Sequence, residues 1–143
     1  MVYVDTSVLV TLYIKETYSR KASDWIRANN EAIPKTIFHE LEFTNAIQLK
    51  LFRKEISDKQ ARTVLHRFNG HEKEGIFFAP PINWPTVFGN CIDLLSQYTH
   101  STGSRSLDII HVASALAMGA DQFFTFDAKQ SRLASSAGLS IVS

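Results

Sequence analysis

The stretch Arg105-Ser-Leu-Asp-Ile-Ile-His-Val-Ala-Ser-Ala-Leu-Ala-Met-Gly119 decides how this chain folds. From Ile109 to Met118 its residues are apolar or small on nearly every side. The pattern predicts a helix buried on most of its circumference rather than along one stripe. Its single carboxylate, Asp108, stands at the helix start, which puts it at the edge of a core. Alone, Asp108 needs no further explanation than a helix cap. The positions of the other acids change that.

Working outward, Val2-Tyr-Val4 reads as a short strand closed by Asp5-Thr-Ser7, after which Val8 to Leu12 begin a helix. Strand, acid, helix is the entry pattern of an α/β domain. Further helices are expected over Tyr18 to Asn30, Thr36 to Lys54, Ser57 to Phe68 and Trp84 to Tyr98, with strands at Ala32-Ile33, Gly75 to Ala79, Gln122 to Thr125 and Leu139 to Val142. The polar run His100 to Arg105 is expected as a flexible loop leading into the buried helix. Asp127 and Gln130 have capping-box spacing for a last helix through Leu133, which Gly138 ends. Strands separated by helices imply a parallel sheet with helices on both faces.

The helix from Thr36 to Lys54 carries two apolar faces. At about 100° per residue, Phe38, Leu41, Ala46, Leu49 and Phe52 share one, and Glu42 and Asn45 lie inside the same stripe, so that Glu42 points where a core residue should. Phe43, Ile47 and Leu51 make a second strip beside Glu40, expected to meet another helix or a second subunit. Lys50, Arg53 and Lys54 close the helix as cations at its carbonyl end.

The 143 residues suit one domain, 1–143, and 45% hydrophobic with 20% charged residues indicates a folded protein. A formal net charge of +1 gives no global attraction to nucleic acid or anionic membrane, so a polyanion site would have to be a local patch. The one cysteine, Cys91, excludes an internal disulfide and a cysteine zinc cluster, and lies in an apolar context. With no leader before Val2 and no apolar run of spanning length, the expectation is a cytoplasmic protein without a membrane partner.

In parallel α/β sheets the ligand crevice lies beyond the carboxyl ends of the strands, where the winding reverses. If it reverses after the third strand, Asp5 at the end of the first and Asp127 at the end of the fourth become neighbours. Asp108 opens the helix that feeds the fourth strand, and Glu42 faces the sheet. Such a cluster is unfavourable unless something neutralises it. Oxygen donors in this number suit Mg²⁺ or Mn²⁺, and the chemistry that follows is hydrolysis of a phosphodiester. The five histidines show no HExxH or comparable spacing that would favour zinc. Two other readings fit the same residues. An aspartyl phosphatase would want a second acid two residues after Asp5, where Ser7 stands. A binding module would use the acids only as caps.

Asp5-Thr-Ser7, Glu42-Phe-Thr-Asn-Ala46, Arg105-Ser-Leu-Asp-Ile-Ile-His-Val-Ala113 and Thr125-Phe-Asp127, in this order, resemble a PIN domain, and more closely the VapC toxin ribonucleases of type II toxin–antitoxin pairs. The resemblance runs over essentially the whole chain. It implies a three-layer α/β/α fold with a five-stranded parallel sheet of order 3-2-1-4-5, and a Mg²⁺- or Mn²⁺-dependent endoribonuclease acting on RNA. It also implies a homodimer and inhibition by a VapB-like antitoxin. Asp5, Glu42, Asp108 and Asp127 carry over as the acidic site, with Asp5 and Asp108 the main metal ligands and Ser7 and Thr125 supporting them. Spacing to Ala46 and the helix face both choose Glu42 over Glu40. Arg105, Lys50 and Arg53 are candidate RNA contacts. A catalytically silent PIN-like module and another Mg²⁺-dependent phosphoryl hydrolase are the alternatives.

Overall fold

The computed structural model describes residues 1–142. Along the chain the elements are β1 (Val2–Val4), α1 (Thr6–Tyr13), α2 (Ser19–Ala28), β2 (Ile33–Pro34), α3 (Ile37–Phe52), α4 (Asp58–Gly70), β3 (Phe77–Phe78), α5 (Trp84–Thr102), α6 (Ser106–Ala117), β4 (Gln122–Phe124), α7 (Ala128–Ser136) and β5 (Ser140–Ile141). They group into two compact units, one formed by Met1–Asp5 with the chain from Pro80 onward and the other by Thr6–Ala79. Among the described residues no helix is long and apolar enough to cross a membrane.

In the first unit β1, β4 and β5 form a parallel sheet in that order, with Tyr3 opposite Phe123 and Val4 opposite Phe124. The Asp5 N–H donates to the Phe124 carbonyl at 3.0 Å, which carries the ladder one residue past β1. Helix α6 packs on α5 and α7, and every residue from Ile109 to Ala115 is buried. That is the all-round burial its small, uncharged sequence demands. Helix α5 starts from an Asn83 cap that accepts the Thr86 N–H, with Pro85 in the first turn, where a missing N–H costs nothing. It runs on to Thr102, so the expected flexible loop at His100 to Arg105 begins later than its polarity suggests. The Ser101 and Thr102 hydroxyls turn back onto the Tyr98 carbonyl, and Gly103, at φ 64°, closes the helix in a conformation that glycine adopts without steric cost.

In the second unit β2 and β3 pair in parallel, Ile33 opposite Phe77. The expected single five-stranded sheet of order 3-2-1-4-5 is therefore not what the described residues form. They form a three-stranded sheet, β1-β4-β5, and a separate pair, β2-β3. Strand β2 is two residues long and ends on Pro34, which has no N–H to give to a ladder.

Helix α3 also departs from its expected orientation. Its buried residues are Phe38, His39, Phe43 and Ile47, while Leu41 is 66% and Phe52 82% exposed. Of the two partners expected for the strip of Phe43 and Ile47, another helix or a second subunit, it is the helix α4 that meets it, and the strip faces the core. Phe43 lies flat on Phe68 of α4 at 3.8 Å between ring centres, and Tyr13 meets both rings edge-on. An aromatic ring buries more apolar area than a leucine, and α4 supplies the Phe68 ring that Phe43 stacks on.

Candidate active site

Asp5 follows β1 directly and is fully buried. The Thr125 hydroxyl donates to Asp5 Oδ2 at 2.5 Å, and Thr125 Oγ1 in turn accepts the Asp127 backbone N–H at 2.9 Å. Because that N–H occupies an acceptor position on Oγ1, the hydroxyl hydrogen is left to point at Asp5. The parallel pairing of β1 with β4 brings these residues together, since Thr125 follows β4 as Asp5 follows β1. Asp127 is exposed. Its Oδ1 accepts the Lys129 and Gln130 N–H groups at 2.7 and 3.0 Å and caps α7. The reciprocal half of the expected capping box is missing, because Gln130 Oε1 is buried without a partner among the described residues.

Asp108 is half-buried in the first turn of α6. Its Oδ2 accepts the Arg105 backbone N–H at 3.1 Å, and Arg105 itself is exposed. Asp108 thus closes the start of the helix and keeps a second oxygen for other work. Tyr3 and His111 pair in the same unit, Oη to Nδ1 at 2.8 Å, both fully buried. The sequence reading assigned neither residue. The available signal was their spacing, two residues before Asp5 and three after Asp108.

The remaining candidates lie in the second unit. Ser7 is half-buried in the first turn of α1, and Glu42 is half-buried on α3 beside the buried Phe43. The face argument that chose Glu42 falls with the exposed Leu41 and Phe52. A different observation separates the two acids. Glu40 is bound to the buried Lys35 ammonium at 3.0 Å, which Glu72 also holds at 3.0 Å. Lys50 is paired with Glu16 and with Glu55, and Arg53 is the exposed C-cap of α3. His39 caps α3 with Thr36, and His71 meets the Tyr13 hydroxyl. Two cavities of about 230 and 430 Å³ in this unit are lined by none of the candidate acids. Cys91 is a free, buried cysteine, and burial pushes its thiol above its ordinary value.

Among the described residues no three His, Cys, Asp or Glu side chains form a ready group for a metal ion. The donor chemistry nevertheless fits a hard cation. Mg²⁺ keeps several waters and uses only one or two protein carboxylates, and the two candidate ligands, Asp5 and Asp108, are both carboxylates.

No protein-family model matches the sequence, and no curated protein matches it. Solved structures do. The Mycobacterium tuberculosis toxin VapC20, described as cleaving the sarcin–ricin loop, is 14% identical, with a TM-score of 0.70 over 97% of this chain and 96% of that one. FitAcB from Neisseria gonorrhoeae is 15% identical, with a TM-score of 0.68 over 100% of this chain and 97% of that one. The chain has the α/β fold of these two proteins over its whole length, which is the PIN-like fold that the sequence motifs resemble.

Proposed function

We propose that this protein is a metal-dependent endoribonuclease, a single PIN domain acting as the toxin of a type II toxin–antitoxin pair. The observation that carries the reading is the fully buried Asp5 carboxylate, oriented by Thr125 at the carboxyl ends of two adjacent parallel strands. Open α/β sheets bind their ligands at that end. The likeness in fold to VapC20, described as a sarcin–ricin loop cleaving toxin, supports the same reaction class here.

Asp5 and Asp108 are the residues that would hold Mg²⁺ or Mn²⁺. When bound, such a cation supplies an activated water and charge stabilisation at the phosphorus oxygens. The chain's own contributions are positional. Thr125 fixes the rotation of the Asp5 carboxylate, and Asp127, tied at Oδ1 to the start of α7, keeps Oδ2 to orient water. Arg105 is available to a substrate phosphate, and Arg53 is a second exposed candidate. The resemblance adds Glu42 as a fourth acid and Ser7 as a supporting hydroxyl. Exposed apolar residues, Ile37, Leu41 and Phe52 on α3 and Phe88 and Ile92 on α5, support protein partners, here a VapB-like antitoxin and a second copy of the chain.

Cleavage of labelled RNA with and without Mn²⁺, in wild type and Asp5→Asn, tests the proposal. Wild type should cut only with the metal and Asp5→Asn should not. Equal metal-dependent cleavage by both would reject Asp5, and no cleavage by wild type of any RNA offered would reject the reaction.

A further inference from the structure

The buried Tyr3–His111 pair is a second side-chain bond that joins distant parts of the chain, beside the one from Thr125 to Asp5. Tyr3 Oη and His111 Nδ1 are 2.8 Å apart, and the imidazole meets the phenol ring edge-on at 5.7 Å and 67°. On its other side Tyr3 lies flat on Phe123 of β4, 5.4 Å away and 5° from parallel. Both residues have no exposure at all. A phenol and an imidazole placed so deep are costly unless they satisfy each other.

Their positions along the chain give the pair a second consequence. Tyr3 and Asp5 are two residues apart on an extended segment, so their side chains leave the same side of it. Asp108 and His111 are three apart on α6, so they share a helix face. Helix α6 leads through a short turn into β4, and β4 is parallel to β1, so α6 runs antiparallel to β1. Moving from Tyr3 to Asp5 advances roughly 6.6 Å along the strand. Moving back from His111 to Asp108 advances roughly 4.5 Å in the same direction. The side chains next beyond the bonded pair are therefore Asp5 on the strand and Asp108 on the helix.

We propose that the Tyr3–His111 hydrogen bond is the rung that sets the separation of Asp5 and Asp108, and with it their affinity for a divalent cation. The inference rests on the reading that these two carboxylates hold the cation. Like charges one rung further along push strand and helix apart. Strand β1 is only three residues long, so its ladder alone gives that repulsion little resistance. A buried hydrogen bond backed by a stacked ring supplies the resistance. Tyr3 and His111 are positioning residues and touch neither metal nor substrate.

The test is Mn²⁺ titration of the full chain by calorimetry, beside its melting temperature. Tyr3→Phe and His111→Leu should each weaken Mn²⁺ binding about tenfold, the lower edge of what outer partners of metal ligands cost when lost. The double variant should be weaker than wild type by less than the sum of the two single losses, since both remove the shared bond. His111→Asn, whose amide oxygen can accept from Tyr3 near the position of Nδ1, should restore most of the affinity. Val112→Ala, a fully buried neighbour outside the pair, should lower the melting temperature and leave Mn²⁺ affinity unchanged. Unchanged Mn²⁺ binding by Tyr3→Phe, which keeps the ring stack, overturns the inference. So does an equal loss in Val112→Ala. If wild type binds no Mn²⁺, the cation reading itself fails and takes this inference with it, whereas wild-type binding with unaltered variants sinks the inference alone.

Discussion

Thr125 Oγ1 stands between Asp5 and Asp127, donating to the carboxylate of one at 2.5 Å and accepting the backbone N–H of the other at 2.9 Å. One hydroxyl thereby ties the end of β1 to the residue that caps α7. Thr125→Val keeps the shape and removes both bonds. A hydrogen bond to a carboxylate contributes about 1.5–3 kcal/mol, so urea unfolding should show a loss of that size. RNA cleavage should fall further than stability does, because the Asp5 carboxylate loses the hydroxyl bonded to its Oδ2. Cleavage at the wild-type rate would show that catalysis does not depend on the Thr125 hydroxyl.

Asp127 has two separable roles. Asp127→Ala should cost about 0.5–2 kcal/mol through the lost cap. Asp127→Asn caps nearly as well and should unfold like wild type, while losing the negative oxygen assigned to the site. Reduced cleavage in a normally stable Asp127→Asn protein would confirm the division, and full activity would confine Asp127 to capping.

The reversed face of α3 is open to measurement. Phe43→Ala removes a ring stacked at 3.8 Å on Phe68 in the core and should cost about 3–5 kcal/mol. Phe52→Ala, at an 82% exposed position, should stay within about 0.5 kcal/mol. Chemical denaturation of the two variants decides between them, and the opposite ranking would restore the original assignment of faces.

Lys50 supplies a pH dependence. The hydrogen bond to Glu16 chiefly, with a second to Glu55, holds its ammonium above the ordinary lysine value of 10.5, against the opposing effect of partial burial. A base whose folded-state pKa is raised stabilises fully below its unfolded value and loses that contribution as pH rises through the folded one. Wild type should therefore exceed Lys50→Met in stability at pH 7, with the difference closing as the pH passes above 10.5. A difference that does not change with pH would assign the effect to the apolar stem.

Arg105→Ala tests the substrate side without disturbing α6, since Asp108 accepts the backbone N–H that alanine retains. RNA binding should weaken, and the dependence of log affinity on log salt should become shallower by roughly 0.7 for one lost phosphate contact on a single strand. An unchanged slope would remove Arg105 from the interface.

Much of this protein is written in short-range pattern. Asp127, Asn83 and Ser57 start their helices because side-chain oxygens satisfy the first free N–H groups, and the uncharged run Ile109 to Ala115 is buried because it has no wet face to offer. That β4 returns beside β1 could be read from the order of strands and helices alone. Tertiary structure decided the rest. Two apolar strips wound on α3 have equal claims by periodicity, and only the position of Phe68 on α4 made Phe43 and Ile47 the inner pair. The bonds from Thr125 to Asp5 and from Tyr3 to His111 join residues more than a hundred positions apart. Periodicity reports which way a side chain leaves its own element, whereas such a bond depends on which element arrives opposite, and that is settled only when the strands pair.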